Sequence, residues 1–267
     1  GQDRPQCRRL YGYSSRKYAT VMPGKLYIVP TPVGNLGDMT PRAVEVLKGA
    51  SLILAEDTRT SATLMRHFDI ATPMASHHKF NEHKDLTPVL DRIASGENVA
   101  LVSDAGTPGI SDPGFMLSRE CRRRGLPVET LPGATAFVPA LVNSGLPCDK
   151  FFFEGFLPPK KGRATRLAFL ASLPTTFVIY ESPVRLARTL AELAEVCGDE
   201  REASVSREIS KLYDTTERGT LGYLRDYYQQ NQARGEIVIV VAPEAKPSAE
   251  ERRHKNKYRR DEDAALD

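Results

Sequence analysis

The residues with the clearest chemical signal form one loop, which reads S-D-A-G-T-P-G-I-S-D-P-G from Ser103 to Gly114. It holds three glycines, two prolines and two aspartates, and it is longer than the roughly two to six residues of an ordinary strand-to-helix connection. Glycine lets a ligand approach the backbone closely, and proline restricts the conformation of the loop. The composition therefore predicts a ligand-binding loop in which Asp104 supplies a negative charge.

Two further loops share this character, at 30–38 (P-T-P-V-G-N-L-G-D) and at 131–136 (L-P-G-A-T-A). Neither has the G-x-G-x-x-G or G-K-[ST] pattern expected of a dinucleotide or triphosphate site. Three such loops beside Asp104, with no phosphate-binding pattern, fit a cationic nucleoside such as S-adenosylmethionine. Its sulfonium favours carboxylate and carbonyl neighbours. S-adenosylmethionine is thus one ligand that these residues fit.

The three loops follow strands in an alternating series of short apolar runs and amphipathic segments. Such alternation predicts a mostly parallel sheet with helices on both faces, whose ligands bind beyond the carboxyl ends of the strands. Pro139 requires the last helix of the series to start late or to kink. The predicted strands are Leu26–Val29, Leu52–Ala55, Val99–Ser103 and Val128–Leu131, and the predicted helices lie near 41–48, 59–67, 83–95, 113–124 and 135–144.

A second group of elements follows Leu146–Lys150, a segment typical of a hinge. We predict a two-domain α/β protein, with a mostly parallel sheet in an N-terminal domain (25–147) and a mixed sheet in a C-terminal domain (148–243). We expect a flexible N-terminal extension at 1–24 and a charged flexible tail at 244–267, since neither has a continuous apolar face. The strands predicted for the second domain are 151–156, 176–180, 203–207 and 236–242, with helices at 161–172 and 183–196 and an antiparallel edge or hairpin at 213–218.

The charge is concentrated at the start of the chain. The formal net charge is +3, yet residues 1–25 alone hold six Lys or Arg and one Asp, so the remainder is slightly negative. A near-neutral body does not bind polyanions through its bulk field. Any RNA binding must then depend on local cationic clusters.

Several classes of protein are disfavoured by composition. The four cysteines form no C-x-x-C pair, which argues against a zinc knuckle or a redox dithiol. No apolar run approaches the roughly 18 to 20 residues of a membrane span. The N-terminal residues lack the unbroken apolar region of a signal peptide. We predict a cytoplasmic protein with no membrane partner.

Five motifs in order carry a family resemblance: T-P-V-G-N-L (31–36), S-D-A-G-T-P-G-I-S-D-P-G (103–114), L-P-G-A-T-A (131–136), F-E-G-F-L-P (153–158) and Y-E-S-P-V-R (180–185). Together they resemble the small-subunit ribosomal RNA methyltransferase I family of the tetrapyrrole-methylase-like superfamily. The resemblance implies methyl transfer from S-adenosylmethionine to the ribose 2′-hydroxyl of a cytidine in the decoding region of 16S rRNA. It also implies two α/β domains with the donor in the cleft between them, the small ribosomal subunit as substrate, and a homodimer.

The same motifs imply the residues that contact the donor. Where tetrapyrrole methylases usually have G-D-P, this chain has Gly106-Thr107-Pro108, which favours an RNA substrate over a precorrin. The implied cofactor-binding residues are Pro32, Gly34, Asp104, Ala105, Gly106, Gly109, Ile110, Ser111, Gly133, Ala134, Thr135 and Tyr180.

Three acid–base candidates lie near the implied cleft. A general base would help the ribose hydroxyl to attack, and Glu181, Glu82 and His78 are candidates among which the sequence does not choose. His77, His78 and His83 lie close together, but no cysteine or carboxylate pair accompanies them at a metal-binding spacing, so we expect no metal.

The predicted RNA-binding residues are Arg185, Arg207 and Lys211. The alternative for the last two, which flank Glu208, is a surface ion pair. Two rival functions stay open, a precorrin-type tetrapyrrole methyltransferase and a ribosome-assembly binding module without catalysis.

Overall fold

Two five-stranded sheets organise the chain, one in each half. The computed structural model describes residues 22–77, 86–111 and 114–244. In this part of the chain no helix combines the length and apolar character needed to cross a membrane. The elements of the first half are β1 (Leu26–Ile28), α1 (Pro41–Gly49), β2 (Leu52–Ala55), α2 (Thr58–His67), β3 (Met74–Ser76), α3 (Thr87–Ala94), β4 (Val99–Val102), α4 (Phe115–Arg123), β5 (Val128–Thr130) and α5 (Phe137–Asn143).

The first sheet has the strand order β3-β2-β4-β1-β5, and all its pairings are parallel. Its central strands are apolar runs buried on both faces, as a parallel sheet covered by helices requires. One face packs against α1 and α2 through Leu47 and Met65, and the other against α3 and α4 through Ile93 and Leu117. Because every strand points the same way, the loops after β1, β2, β4 and β5 emerge at one edge.

The second sheet has the strand order β6-β7-β10-β8-β9. β6 and β7 are parallel, whereas β10 runs antiparallel to both β7 and β8, and β8 antiparallel to β9. One face packs against α6, α7 and α8 through Leu167, Leu190 and Leu224. The elements are β6 (Phe151–Phe156), α6 (Arg163–Ala171), β7 (Thr176–Glu181), α7 (Leu186–Cys197), β8 (Glu202–Arg207), β9 (Thr215–Thr220), α8 (Leu221–Gln230) and β10 (Ile237–Val241).

The last helix of the first half covers the other face of the second sheet. Ala140 and Leu141 of α5 pack against Val178 and Val240. The guanidinium of Arg218, on β9, donates to the carbonyl of Asn143 at the end of this helix. Helix α5 therefore belongs to the core of the second sheet, although it precedes the predicted boundary at 147/148. The domain limits themselves stay a prediction.

The predicted fold class is confirmed, with a parallel sheet first and a mixed sheet second. β2 and β6 have the predicted limits, and α5 starts late, so that Pro139 lies in its first turn. α1 and α2 are each one residue longer than predicted, whereas α4, α6 and α7 begin two or three residues later than predicted. β3 and α8 were not predicted. The tails at 1–21 and 245–267, and residues 78–85 and 112–113, lie outside the described residues.

Candidate active site

A cavity of about 420 Å³ lies where the carboxyl edge of the first sheet faces the second sheet. β10 runs antiparallel to β7, so its first residue, Ile237, lies opposite Glu181, the last residue of β7. Both halves therefore supply cavity walls. The first half contributes Val33, Glu56, Asp104, Ala105, Gly106, Thr107, Ile110, Ser111, Thr135 and Ala136, and the second contributes Phe156, Tyr180, Glu181, Ser182, Pro183, Ile209, Gly235, Glu236, Ile237 and Val238.

Hydrogen bonds join the three predicted loops into one surface. Thr31 and Gly106 exchange two backbone hydrogen bonds, each 3.0 Å long. The hydroxyl of Thr107 donates to the carbonyl of Ala134 at 3.0 Å. Gly106 has a φ of +79°, in the left-handed region that glycine adopts without steric cost. The loop after β4 is thereby fixed to the loops after β1 and β5.

Asp104 lies at the cavity wall with its side chain exposed. Its Oδ1 accepts a hydrogen bond of 3.2 Å from the backbone N–H of Asp57. The carboxylate of Asp57 caps α2, and hydrogen bonds from the side chain and backbone of Arg59 lower the pKa of Asp57 to about 2. The ends of β2 and β4 are thus tied together, and Glu56 and Asp104 face the same cavity.

Glu181 ends β7 with its side chain only 1% exposed. Oε1 accepts hydrogen bonds from the backbone N–H of Ser182 at 2.7 Å and from Nε of Arg185 at 2.9 Å. Oε2 accepts a hydrogen bond from the hydroxyl of Thr189 at 2.6 Å. Both oxygens are therefore occupied, which suits an anchor for the strand end better than a base that accepts a proton from substrate.

A buried arginine extends this anchor into the helices behind it. Arg163 donates to Oγ1 of Thr189 at 2.7 Å, to Glu192 at 2.7 Å and to the carbonyl of Pro158 at 3.1 Å. Burial favours the neutral form of Glu192, but hydrogen bonds from Arg163 and Arg188 lower its pKa below the ordinary value. A continuous polar chain therefore connects Glu181 to α6 and α7, and every link has a partner, as buried polar groups require.

A glycine in β6 lets the loop after β4 reach the second sheet. The register of β6 shifts between Phe153 and Gly155, and Gly155 has a φ of +72°. A Cβ at this position would lie 2.5 Å from Oγ of Ser111. The bulge therefore leaves room for Ser111, and Phe156 beside it reaches the cavity. Phe153 packs against Phe137 and Tyr180.

The wall of the cavity is acidic. Glu56, Asp104, Glu181 and Glu236 line it, and no Lys, Arg or His is found among the lining residues that the structure describes. Oγ of Ser182 is buried there with no hydrogen-bond partner in the described part of the chain. Acidic walls attract a cation and repel a phosphate. The residues thus fit a sulfonium donor that brings hydrogen-bonding groups of its own.

The described residues bring together most of the predicted donor site. Gly106 and Tyr180 are among the predicted residues that line the cavity. Other predicted residues lie outside the lining and support it. A Cβ at Gly133 would lie 2.6 Å from the side chain of Pro30, so this glycine allows close packing of two loops. The predicted lining residues are Asp104, Ala105, Gly106, Ile110, Ser111, Thr135, Tyr180 and Glu181, and the predicted residues outside the lining are Pro32, Gly34, Gly109, Gly133 and Ala134.

The other predicted site residues have varied surroundings. His78 and Glu82 lie outside the described residues. Arg185 is paired with Glu181, and Lys211 is paired with two carboxylates, as the ion-pair alternative holds. Arg207 donates a long hydrogen bond, 3.5 Å, to a backbone carbonyl. In the described ranges no group of three His, Cys, Asp or Glu side chains is placed to hold a metal ion.

Several lining residues were missed by sequence reasoning. Glu56 directly follows β2, so its place at a strand end was a usable signal. Ile209 and the segment 235–238 come from the second half, and they reach the cavity only because β10 is antiparallel to β7. No sequence pattern marks that direction.

Residues 25–225 match the family model described as Tetrapyrrole (Corrin/Porphyrin) Methylases. A protein named ribosomal RNA small subunit methyltransferase I from Synechocystis sp. is 46% identical over 240 residues, which cover 88% of this chain and 86% of that protein. The protein of the same name from Escherichia coli O157:H7 is 44% identical over 221 residues, covering 82% and 77%. These similarities confirm the resemblance carried by the motifs.

Solved structures agree on the fold. A cobalt precorrin-4 methyltransferase of cobalamin biosynthesis superposes with a TM-score of 0.61 at 18% identity, covering 82% of this chain and 94% of that one. A uroporphyrin-III C-methyltransferase from Thermus thermophilus complexed with S-adenosylhomocysteine superposes with a TM-score of 0.58 at 20% identity, covering 82% and 97%. The chain is thus a member of the ribosomal RNA small subunit methyltransferase I family, within the wider family of tetrapyrrole (corrin/porphyrin) methylases.

Proposed function

We propose that this protein transfers a methyl group from S-adenosylmethionine to the ribose 2′-hydroxyl of a cytidine in the decoding region of 16S rRNA, acting on the small ribosomal subunit. The observation that carries the donor assignment is the acidic cavity between the sheets, with four carboxylates and no cation among its described lining residues. The names of relatives at 44–46% identity support the RNA substrate.

The carboxylates discriminate between the two forms of the donor. S-adenosylmethionine carries a positive sulfonium and supplies an activated methyl group, whereas the product after transfer has a neutral sulfur. Glu56 and Asp104 therefore favour the charged donor over its product, which assists release after each turnover. The linked loops after β1, β4 and β5 orient the donor, and alignment of this kind supplies roughly 7 to 11 kcal/mol of the barrier reduction in well-oriented reactions.

In this proposal Glu181 does not remove the proton from the ribose hydroxyl. Its oxygens are already held by Ser182, Arg185 and Thr189, so its role in this proposal is to hold the end of β7 at the cavity. His78 and Glu82 stay the candidates for a base.

RNA recognition in this proposal depends on shape and on few cations. The target hydroxyl lies in folded RNA, where contacts to 2′-hydroxyls and phosphates dominate recognition. Arg207 donates from its guanidinium to a backbone carbonyl, whereas Arg185 and Lys211 are each paired with acids. We further propose a homodimer, as the family resemblance implies, and a cytoplasmic location, as the composition predicts.

The deciding experiment follows tritium from labelled S-adenosylmethionine into isolated small ribosomal subunits. Naked 16S rRNA and a precorrin serve as alternative acceptors, and Asp104→Ala serves as the donor-site control. We expect label in the ribose of subunit RNA and none in precorrin. Label in precorrin alone would establish the tetrapyrrole alternative, and binding to subunits without any transfer would establish the assembly-module alternative.

A further inference from the structure

Three charged residues tie the segment after β8 to the start of β10. Nζ of Lys211 lies 3.0 Å from Oε1 of Glu208 and 3.1 Å from Oε2 of Glu236. Oε1 of Glu208 also accepts a hydrogen bond of 2.8 Å from the backbone N–H of Glu236. We call Glu208, Lys211 and Glu236 the clasp. It connects two segments of the second half, and both of them line the cavity.

The clasp also reaches the first half of the chain. A Cβ at Gly34 would lie 2.3 Å from Cγ of Lys211, so the lysine stem crosses directly over the loop after β1. The neighbouring hydroxyl of Ser210 donates to Oδ2 of Asp38 at 2.9 Å. The loop at 30–38 is thereby held at two points by the segment that carries Lys211.

The backbone of this segment adopts a costly conformation. Glu208 and Ser210 have φ values of +54° and +65°, a region that residues other than glycine rarely adopt. Ile209 lies between them, is 7% exposed and lines the cavity. Strain of this kind persists where the surrounding contacts determine the conformation, and it is concentrated at functional sites. Here the clasp supplies those contacts.

The environment of Lys211 differs from that of a phosphate contact. Its side chain is 29% exposed, and its ammonium already faces two carboxylates. An RNA phosphate would have to displace those carboxylates and would meet their charge in doing so. The ammonium is therefore committed within the protein.

We propose that Lys211 is a positioning residue of the donor cavity, which holds the loop at 30–38, Ile209 and Glu236 in their binding arrangement and makes no contact with RNA. The proposal rests on the proposed function only in naming S-adenosylmethionine as the donor. It replaces the sequence-based prediction that Lys211 binds RNA.

The test compares Lys211→Met with Lys48→Met. The first keeps an unbranched stem over Gly34 and removes the charge, and the second removes an exposed lysine at the end of α1, away from the cavity lining. Hydrogen exchange of peptides covering 31–39 is measured without ligand, and S-adenosylhomocysteine is titrated calorimetrically. We expect at least tenfold faster exchange and at least tenfold weaker binding in Lys211→Met, with both quantities within twofold of wild type in Lys48→Met.

The salt dependence of binding to small ribosomal subunits separates positioning from RNA contact. Each phosphate contact contributes about one unit to the slope of log affinity against log salt. We expect an unchanged slope in Lys211→Met. A slope smaller by about one unit with unchanged affinity for S-adenosylhomocysteine would overturn the proposal in favour of RNA contact, and unchanged exchange or unchanged affinity would overturn it whatever the slope.

A second variant covers the case in which Lys211→Met does not fold, as judged by its melting curve. Ser210→Ala removes the hydrogen bond to Asp38 and leaves the three charges in place. It should accelerate hydrogen exchange at 31–39 and weaken the binding of S-adenosylhomocysteine two- to fivefold. Wild-type values for both would overturn the proposal that this segment positions the cavity. Failure of the proposed function would be seen in a different measurement. Wild-type protein would then transfer no label to RNA, while the hydrogen-exchange result would stand.

Discussion

At the residue scale, the acidity of the cavity can be measured by removing one charge from it. Asp104→Asn keeps an oxygen that can accept the Asp57 N–H and loses the negative charge. We expect S-adenosylmethionine to bind about tenfold more weakly, equivalent to ~1.4 kcal/mol, with a smaller loss for S-adenosylhomocysteine, whose sulfur is neutral. Calorimetric titration of both ligands checks this, and equal losses would show that Asp104 does not sense the sulfonium charge.

The pH dependence of kcat separates the two possible roles of Glu181, an anchor of β7 and a general base. If Glu181 anchors the end of β7, Glu181→Gln should lower donor affinity and thermal stability, because the amide cannot replace a carboxylate that accepts from Arg185 and Thr189. The shape of the profile of kcat against pH should stay as in wild type. Steady-state kinetics from pH 5 to 9 provide the readout, and loss of the acidic limb would restore Glu181 as the general base.

Residue types and spacing predicted most of the loops that the first half contributes to the candidate cavity. Asp104 and Gly106 were identifiable because an over-long loop rich in glycine and proline follows a strand. Ile209 and Glu236 were not, since an apolar residue and an acid in the second half carry no mark of their place at the cavity. Lys211 could be assigned to either an ion pair or RNA until its two acidic neighbours were located.

At the element scale, the bulge in β6 governs how the loop after β4 meets the second sheet. In Gly155→Ala the new Cβ would lie 2.5 Å from Oγ of Ser111, so the loop must shift and donor affinity should fall at least fivefold. The matched control is Gly125→Ala, which has a similar φ of +67° and no neighbouring atom within 4 Å. Gly125→Ala should lose only about 1 kcal/mol of stability, which is the cost of placing a Cβ in the left-handed region. Chemical denaturation and S-adenosylhomocysteine titration of both variants test this, and equal affinities would remove the bulge from the site.

The elements that the sequence missed are those with weak local signals. β3 has three residues, none of them β-branched, and pairs only at the sheet edge. α8 contains Gly222 and three tyrosines, which are poorer helix formers than the residues of α7. Its apolar face becomes evident only against the second sheet, where Leu224 is buried. β2 was predicted because burial on both faces makes it a continuous apolar run. α1 was predicted because burial along one face gives it a helical apolar period.

The segment after β8 should also respond to acid. A backbone hydrogen bond from Glu236, together with Lys211, lowers the pKa of Glu208 below 4.5. The stabilisation is therefore fully present above pH 4.5 and is lost as the pH falls through the lower value of the folded state. We expect wild type to melt above Glu208→Gln at pH 7 and the difference to shrink towards pH 3. A difference independent of pH would show that the carboxylate charge contributes nothing.

At the scale of the whole molecule, the site exists only where two cores meet. The two sheets have separate cores, and the cavity lies between them. Near this cavity, helix α5, the approach of Ser111 to Gly155 and the segment that carries Ser210 and Lys211 connect one half to the other. The direction of β10 and the packing of α5 are long-range properties, which is why the sequence predicted the two sheets and not how they combine.

The last prediction concerns a shortened chain of residues 24–243. Both cores and the cavity lining are built from residues between Leu26 and Ala242. We therefore expect a melting temperature within about 2 °C of the full chain and unchanged affinity for S-adenosylhomocysteine. Residues 1–23 hold five Lys or Arg and one Asp, whereas 244–267 hold equal numbers of both signs, so removal should weaken attraction to RNA and raise KM for small subunits without changing kcat. Thermal melts, titration and tritium transfer on both chains decide the matter. Loss of donor binding, or a melting temperature lower by more than about 4 °C, would mean that a terminal segment packs on the body and that the domain limits of 25 and 243 are wrong.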